Sequence, residues 1–272
     1  MILPNSEAIL FCNWLLDVSW QRLSGSQRII VEAVRTSAQT ATPISNNNWN
    51  NFNKFTAWRY PFYQVYATLA SSLTPDLLAG LIAAWDFEGN SNCSDPTYNG
   101  SDTSVIYNLA YGKIIQGVAF SGPPSEITHA ALNTTATFTL NIWVNIGSFT
   151  STADSIWTNG IVSAGLFGFQ PNTDIYWFSS GVILHTPSLT LNTWYMITIT
   201  SSPTLGELFL NGVSVASTLT PFPPVTLSSF GKVSGSFNYT GFLDAPVIWD
   251  RGLLQSEIDM LYNGGAGLQY PF

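Results

Sequence analysis

A β-hairpin signal constrains the fold of this chain more than any other feature. Two short runs rich in apolar residues, Glu207–Leu210 and Val213–Ser217, are separated only by Asn211-Gly212. Asn-Gly supplies the positive φ angles of a type I′ turn, which joins two neighbouring antiparallel strands. The pattern therefore predicts antiparallel β-structure in this part of the chain.

Other segments carry the same strand signal. In Ala136–Val144 apolar and polar residues alternate, which places Phe138, Leu140, Ile142 and Val144 on one face of a strand. Helix is scarce, and its clearest case is Gln255–Tyr262, which Gly264 can end. Short strands divided by Gly, Pro, Ser and Asn predict an all-β fold, an antiparallel sandwich. Three further predicted strands are Asp174–Ser179, Trp194–Thr200 and Gly241–Trp249.

The first 78 residues have a different pattern. Ser6–Leu23 has the apolar spacing of a short amphipathic helix, Ser45–Asn53 is a polar loop, and an aromatic-rich stretch follows. Too little apolar periodicity remains for an independent core. We interpret residues 1–78 as a mixed, partly helical arm or accessory docking segment, and residues 79–272 as the β-sandwich domain. The arm would serve self-association or binding to other proteins.

Charge is scarce and uneven. Only 9% of the 272 residues are charged, against about 25% in ordinary soluble domains. Residues 76–272 carry three Lys/Arg and thirteen Asp/Glu, a net charge of −10, which disfavours binding to a phosphate backbone. No stretch approaches the length of a membrane span, and no secretory signal is found near Met1. Cys12 and Cys93 are expected to be unpaired thiols.

Seven segments, in order, resemble the laminin-G-like jelly rolls of the concanavalin A superfamily. They begin with Gly80–Asn90, similar to GLVAYWxFDGN, and end with Glu257–Gly265, similar to the EIxxLYNGG helix. The resemblance covers about residues 78–272 and implies a concanavalin A-like jelly-roll β-sandwich. The five segments between them are Tyr111–Gly122, Phe138–Val144, Thr193–Ile197, Leu208–Gly212 and Gly241–Leu253.

The resemblance implies where the large rings lie and where ligands bind. Trp143, Trp194 and Trp249 are expected to fill the gap between the two sheets. Aromatic rings beside turns can stack on sugar rings, and the candidates for such binding to glycans are Trp157, Tyr176 and Trp177.

The resemblance also implies a possible Ca²⁺ site. Glu88 matches an acid of the opening strand, and Asp244 matches one of the closing strand. Calcium requires six to eight oxygen ligands, and the sequence departs from the pattern at Cys93, Ala245 and Pro246. The alternative is that Glu88 and Asp244 are hydrogen-bonded carboxylates at strand ends.

Catalytic signatures are not found. Glycoside hydrolases of this fold place paired carboxylates on one strand, whereas Glu257-Ile-Asp259 lies on the predicted terminal helix. His129 and His185 neighbour no acid in sequence, and each is interpreted as a surface or hydrogen-bonded residue. The protein is therefore expected not to be an enzyme.

Three functions compete on these observations. The first is a structural protein of a bacteriophage virion, a capsid decoration or tail component made in the host cytoplasm, because no export signal is found. The second is a carbohydrate-binding or adhesion module of an extracellular or cell-surface protein, with or without calcium. The third is a glycoside hydrolase with an unusual pair of carboxylates.

Overall fold

A computed structural model describes residues 12, 31, 34, 76–148, 154–160, 164–169, 173–232 and 238–272. Contacts between Cα atoms divide the chain into two compact units, Met1–Thr74 and Pro75–Phe272. Apart from Cys12, Val31 and Val34, the predicted arm up to residue 75 lies outside the described residues. No helix among the described residues is long and apolar enough to cross a membrane.

The second unit is a sandwich of two antiparallel sheets, as predicted. Within the described residues the first sheet has eight strands, in the spatial order β13 (Val213–Thr218), β12 (Gly206–Leu210), β11 (Trp194–Ser201), β6 (Phe138–Ser148), β15 (Thr240–Trp249), β4 (Gly117–Ser121) and β3 (Ile106–Asn108), with β1 (Leu81–Ala84) also paired to β15. The second has seven, in the order β10 (Val182–His185), β9 (Asp174–Ser179), β8 (Ala164–Phe169), β7 (Asp154–Thr158), β14 (Thr226–Phe230), β5 (Glu126–Asn133) and β2 (Ser101–Thr103).

The hairpin forms where Asn-Gly predicts it. Asn211 and Gly212 have φ angles of +53° and +81°, as a type I′ turn requires. The turn sets Leu210 opposite Val213, and β11 continues the sheet on the other side of β12. The local turn chemistry therefore fixes the register at this end of the first sheet.

The core fills the space between the two sheets. From β6 it receives the predicted face of alternating residues, Phe138, Leu140, Ile142 and Val144, all fully buried. Burial of apolar surface is the main force that holds two such sheets together. The tryptophans in this core are Trp85, Trp157 and Trp177.

A second apolar cluster covers the outward face of the first sheet. The helix α1 (Gln255–Tyr262) forms where it was predicted, and it contributes Ile258 and Leu261 to this cluster. Trp143 and Trp249 are buried here and not between the sheets, so their predicted position is wrong. The reason is strand alternation, because Trp143 follows Ile142, which faces the core. Trp194 packs against the same cluster and is half-buried.

The start of the second unit is tied to the C-terminal end of the sandwich. Arg251 donates from Nη1 and Nη2 to the two carboxylate oxygens of the buried Glu257, each at 2.7 Å. The Asp76 amide also donates to Glu257, at 3.0 Å, and the indole of Trp249 donates to the Leu77 carbonyl at 2.7 Å.

Candidate functional site

Trp157 and Trp177, two of the predicted ligand-binding rings, lie inside the core. Both have no exposed surface. Trp157 meets Trp85 edge-on with the ring centroids 5.6 Å apart, and Trp177 packs 5.8 Å from Phe138. The prediction that these two rings stack on a ligand is therefore wrong, because β7 and β9 turn them towards the first sheet.

Tyr176, the third predicted ring, faces outward from the second sheet. On neighbouring strands it lies opposite Phe167 and His185. Its ring is nearly parallel to both, with centroid distances of 5.3 Å to Phe167 and 5.4 Å to His185. We call these three side chains the aromatic rung. Tyr176 is half-buried and the His185 side chain is 43% exposed, so the rung reaches solvent at its His185 end.

A buried carboxylate orients the end of the rung. Oδ2 of Asp174 lies 3.0 Å from Nδ1 of His185. The Asp174 side chain is 7% exposed, and its Oδ1 has no hydrogen-bond partner. Burial, together with the charge of Asp174, raises the pKa of Tyr176 to about 12. The raised pKa keeps the tyrosine hydroxyl protonated even at pH values well above the physiological range.

The middle of this outward face is closed. Ser155, Thr158 and Phe167 are not part of the core between the sheets, which receives their neighbours Ile156, Trp157 and Leu166, yet each of the three is fully buried. On this outward face of the second sheet, the partly exposed side chains lie to either side of the closed middle. The aromatic rung lies on one flank, and a cleft lies on the other.

The cleft has a volume of about 350 Å³ and lies beside β5 and β14. A bulge widens the sheet here, since one residue of β14 (228) stands opposite three residues of β5 (129–131). Sequence reasoning did not find this site, because its walls come from three segments that are far apart in the chain. The lining residues are Glu126, Thr128, His129, Gly160, Ser228, Ser229 and Lys232.

An ion pair forms one wall of the cleft. Nζ of Lys232 lies 2.9 Å from Oε2 of Glu126, and the two side chains are 34% and 22% exposed. Oε1 of Glu126 and two of the three ammonium hydrogens of Lys232 are not used by this contact. Thr128 is exposed and Ser228 is half-exposed. The cleft therefore offers a carboxylate, an ammonium group and hydroxyls close together.

His129 lies beneath the cleft as a hydrogen-bonded core residue. Its Nδ1 lies 2.9 Å from the Ala130 carbonyl, and its Nε2 lies 3.3 Å from Nε1 of Trp157. Because an indole nitrogen can only donate, Nε2 accepts and Nδ1 carries the proton. Burial lowers the pKa of His129 to about 4. A neutral ring with both nitrogens engaged is suited neither to acid–base catalysis at neutral pH nor to metal binding.

Asp244 lies in the first sheet, far along the chain from Glu88. It is fully buried where β15 bulges between Asp244 and Val247. Oδ2 of Asp244 accepts hydrogen bonds from the amides of Lys113 and Ile114, at 2.7 and 2.8 Å. Desolvation raises the pKa of Asp244 to about 7 in spite of these bonds, and the charge of Glu88 raises it further.

Glu88 is also hydrogen-bonded. Its Oε1 accepts from the Gln116 amide and from Nε2 of Gln269, both at 3.1 Å. Both Glu88 and Asp244 therefore accept hydrogen bonds within the protein, as the alternative to a calcium site predicted. Gln269, in the segment after α1, is a partner that sequence reasoning missed.

A cation could take up two oxygens near these carboxylates. Oδ1 of Asp244 and Oε1 of Gln269 are buried and have no hydrogen-bond partner. With Glu88 they supply three side-chain donors, which fits calcium only if carbonyls and water complete the six to eight ligands. Across the described ranges, no three His, Cys, Asp or Glu side chains form a metal-binding group.

The paired carboxylates of the terminal helix have structural partners. Glu257 is 2% exposed and is held by Arg251. Asp259 accepts a hydrogen bond from Gln255 one turn earlier, at 2.8 Å. Asp244, whose pKa would suit a general acid, has no exposed surface, and catalysis requires contact with the substrate.

Comparison with known proteins agrees with the fold. The family model of the concanavalin A-like lectin/glucanases superfamily matches residues 121–259, just over half of the chain. The protein belongs to this superfamily. No curated protein sequence matches the chain significantly.

Solved structures of similar fold come from binding domains and glycosidases. Domain 4 of AbnA, a GH43 extracellular arabinanase from Geobacillus stearothermophilus, was solved in complex with arabinotriose. The match has a TM-score of 0.56 and 18% identity, and it covers 66% of this chain and 97% of that one.

Two further matches cover smaller parts of longer chains. The binding domain of Paraclostridial Mosquitocidal Protein 1 has a TM-score of 0.55 and 20% identity, with 68% of this chain matched to 52% of the other. Trypanosoma rangeli sialidase has a TM-score of 0.51 and 16% identity, with 70% of this chain matched to 34% of the other. At these identities the likeness shows the fold alone.

Proposed function

We propose that this protein is a non-enzymatic carbohydrate-binding domain that holds its ligand in the cleft of the second sheet. The observation that carries the proposal is the cleft itself, where the Glu126–Lys232 pair and the hydroxyls of Thr128 and Ser228 converge. Its volume of about 350 Å³ lies within the range of small-molecule sites, about 300–1,000 Å³. The arabinotriose complex of the similar arabinanase domain supports the same proposal.

A glycan array probed with the full chain tests this function. Binding to a defined oligosaccharide is expected, and Thr128→Trp should abolish it because the indole would fill the cleft from an exposed position. Ser217→Trp, at an exposed position of β13 in the first sheet, is the matched control. An array without signal would contradict the proposal, as would equal binding by both variants.

Calcium is a second element of the proposal. Glu88, Asp244 and Gln269 would hold Ca²⁺ between the opening strand, the closing strand and the C-terminal segment, and the ion would neutralise the buried carboxylate. Adding CaCl₂ after EDTA should then raise the melting temperature, and Asp244→Asn should remove the increase. An unchanged melting temperature would contradict the calcium site and leave Glu88 and Asp244 as two carboxylates that each accept hydrogen bonds from other groups.

A structural role in a bacteriophage virion is a second candidate function, and it is compatible with glycan binding. Its support is in the sequence: few charges, and an aromatic-rich segment before residue 78. In this role the segment docks the domain on the particle; in the alternative the domain acts at a cell surface. Light scattering after size-exclusion chromatography, on residues 1–272 and 75–272, distinguishes them. Assembly of the longer chain alone supports docking, and two monomers argue against it.

A further inference from the structure

The cleft pairs its two charges with each other. Glu126 and Lys232 are in contact at 2.9 Å, and both remain partly exposed to the cleft. His129 beneath them is neutral near physiological pH, because burial holds its pKa near 4. The lining side chains therefore carry no net charge, although each partner of the pair keeps hydrogen-bonding capacity.

This arrangement suits a ligand whose groups donate and accept at the same time. A hydroxyl can donate to Oε1 of Glu126 and accept from Lys232 without breaking the pair. Hydrogen bonds to charged groups are stronger than hydrogen bonds between neutral groups. Two adjacent hydroxyls of a sugar ring would engage both partners together, with Thr128 and Ser228 as further contacts.

A carboxylate on the ligand would be repelled by the same pair that attracts a hydroxyl. A carboxylate that approached the unused ammonium hydrogens of Lys232 would lie beside the Glu126 carboxylate, 2.9 Å from the same nitrogen. Two like charges brought together in a partly buried position repel each other. The surrounding unit adds repulsion, because residues 76–272 carry three Lys/Arg against thirteen Asp/Glu.

We propose that the cleft is selective for a neutral sugar residue with adjacent hydroxyls, and that the Glu126–Lys232 pair excludes acidic sugars. This inference rests on the proposed carbohydrate-binding function and names its ligand class. The ring and its hydroxyls are recognised by polar contacts, since no Trp, Tyr or Phe lines the cleft among the described residues.

The test compares neutral oligosaccharides, including arabinotriose, with sialylated and uronic acid-containing counterparts on an array. The strongest neutral ligand and one acidic ligand are then titrated by calorimetry against the full chain, Glu126→Gln and Lys232→Met. Glu207→Gln is the matched control, because Glu207 contacts Ser214 in the first sheet. Unchanged melting temperatures show that the variants fold.

Neutral binding that weakens about tenfold in both variants, and that is insensitive to salt, would support the inference. In that case Glu126→Gln should also improve acidic binding, because it frees Lys232. Acidic glycans bound best by the unaltered chain would overturn the ligand class and leave the proposed function standing. Neutral binding unaffected by either variant would overturn the role of the pair. No glycan binding at all would overturn both proposals.

Discussion

The two outward faces of the sandwich differ in what they expose. On the first sheet, α1 and the C-terminal segment cover Trp143, Trp249 and their neighbours in a closed apolar cluster. On the second sheet the flanks are open, with the cleft on one side and the aromatic rung on the other. The comparison shows that the first sheet packs apolar side chains on both of its faces, whereas the second sheet exposes a cleft and an aromatic rung on one face.

The largest expected effect tests whether the covered face is as closed as the core. Trp249→Ala should lower the free energy of unfolding by about 3–5 kcal/mol, because Trp249 is fully buried, donates to the Leu77 carbonyl and stacks on Phe272. Trp177→Ala, in the core between the sheets, should cost a similar amount. Urea denaturation measures both. A cost below about 1 kcal/mol for Trp249 alone would mean that α1 covers this face only loosely.

The sequence predicted which segments form strands better than it predicted which side chains point into the core and which point outward. The Asn211-Gly212 turn and α1 depend on neighbours in the chain, so local patterns are sufficient for them. Trp157 was misplaced because no strand was predicted at Asp154–Thr158 and the ring was interpreted as lying beside a turn. The irregular register of β7 between Ser155 and Trp157 would also have disturbed any assignment of its face by alternation. For Trp177, alternation after the outward Tyr176 was a usable signal.

The candidate sites show the same limit. Glu88 and Asp244 were identified from the resemblance, and in the structure the charge of Glu88 helps to raise the pKa of Asp244. The cleft could not be predicted, because the Glu126–Lys232 contact joins residues more than a hundred positions apart. The cleft also depends on the bulge between β14 and β5, and no sequence motif marks the position of this bulge.

Asp244, buried in the first sheet, should make the protein less stable as pH rises. Its folded pKa of about 7 is above the ordinary value of 3.8, so between these values the folded state holds a proton that the unfolded state has lost. The stabilising contribution of the Asp244 proton is therefore full below about pH 4 and falls by up to about 1.4 kcal/mol per pH unit until about pH 7. Asp244→Asn imitates the protonated acid and should remove this slope.

Urea denaturation in EDTA at several pH values measures the effect of Asp244→Asn. Near pH 8 the variant should be more stable than the unaltered protein. Identical pH profiles for the two proteins would contradict the raised pKa of Asp244.

His129, in the second sheet, should produce the opposite slope. Its folded pKa of about 4 is below the ordinary value of 6.5, so the unfolded state binds a proton first as pH falls. Stability is full above about pH 6.5 and is lost towards pH 4, by up to about 1.4 kcal/mol per unit. His129→Gln should remove this loss while its amide oxygen still accepts from Trp157.

The slopes of His129 and Asp244 oppose each other between about pH 4 and pH 6.5, so the unaltered protein should show a nearly flat profile there. Each single variant should then reveal the slope of the other group. His129→Phe is the second comparison, since it leaves the Trp157 indole without an acceptor and should cost about 1–3 kcal/mol at every pH. A steep acid loss that survives in His129→Gln would assign the titration to another group.

The smallest expected effect separates the two flanks of the second sheet. Tyr176 lies on β9, three strands from β14, which is about 14 Å at the usual strand spacing. Tyr176→Ala should leave the affinity for a disaccharide in the cleft unchanged and weaken a longer oligosaccharide by about threefold, through loss of contact with one ring. Calorimetry with two ligand lengths measures this, with Thr128→Trp as the variant that blocks the cleft. A tenfold loss for both lengths in Tyr176→Ala would move the binding site from the cleft to the aromatic rung.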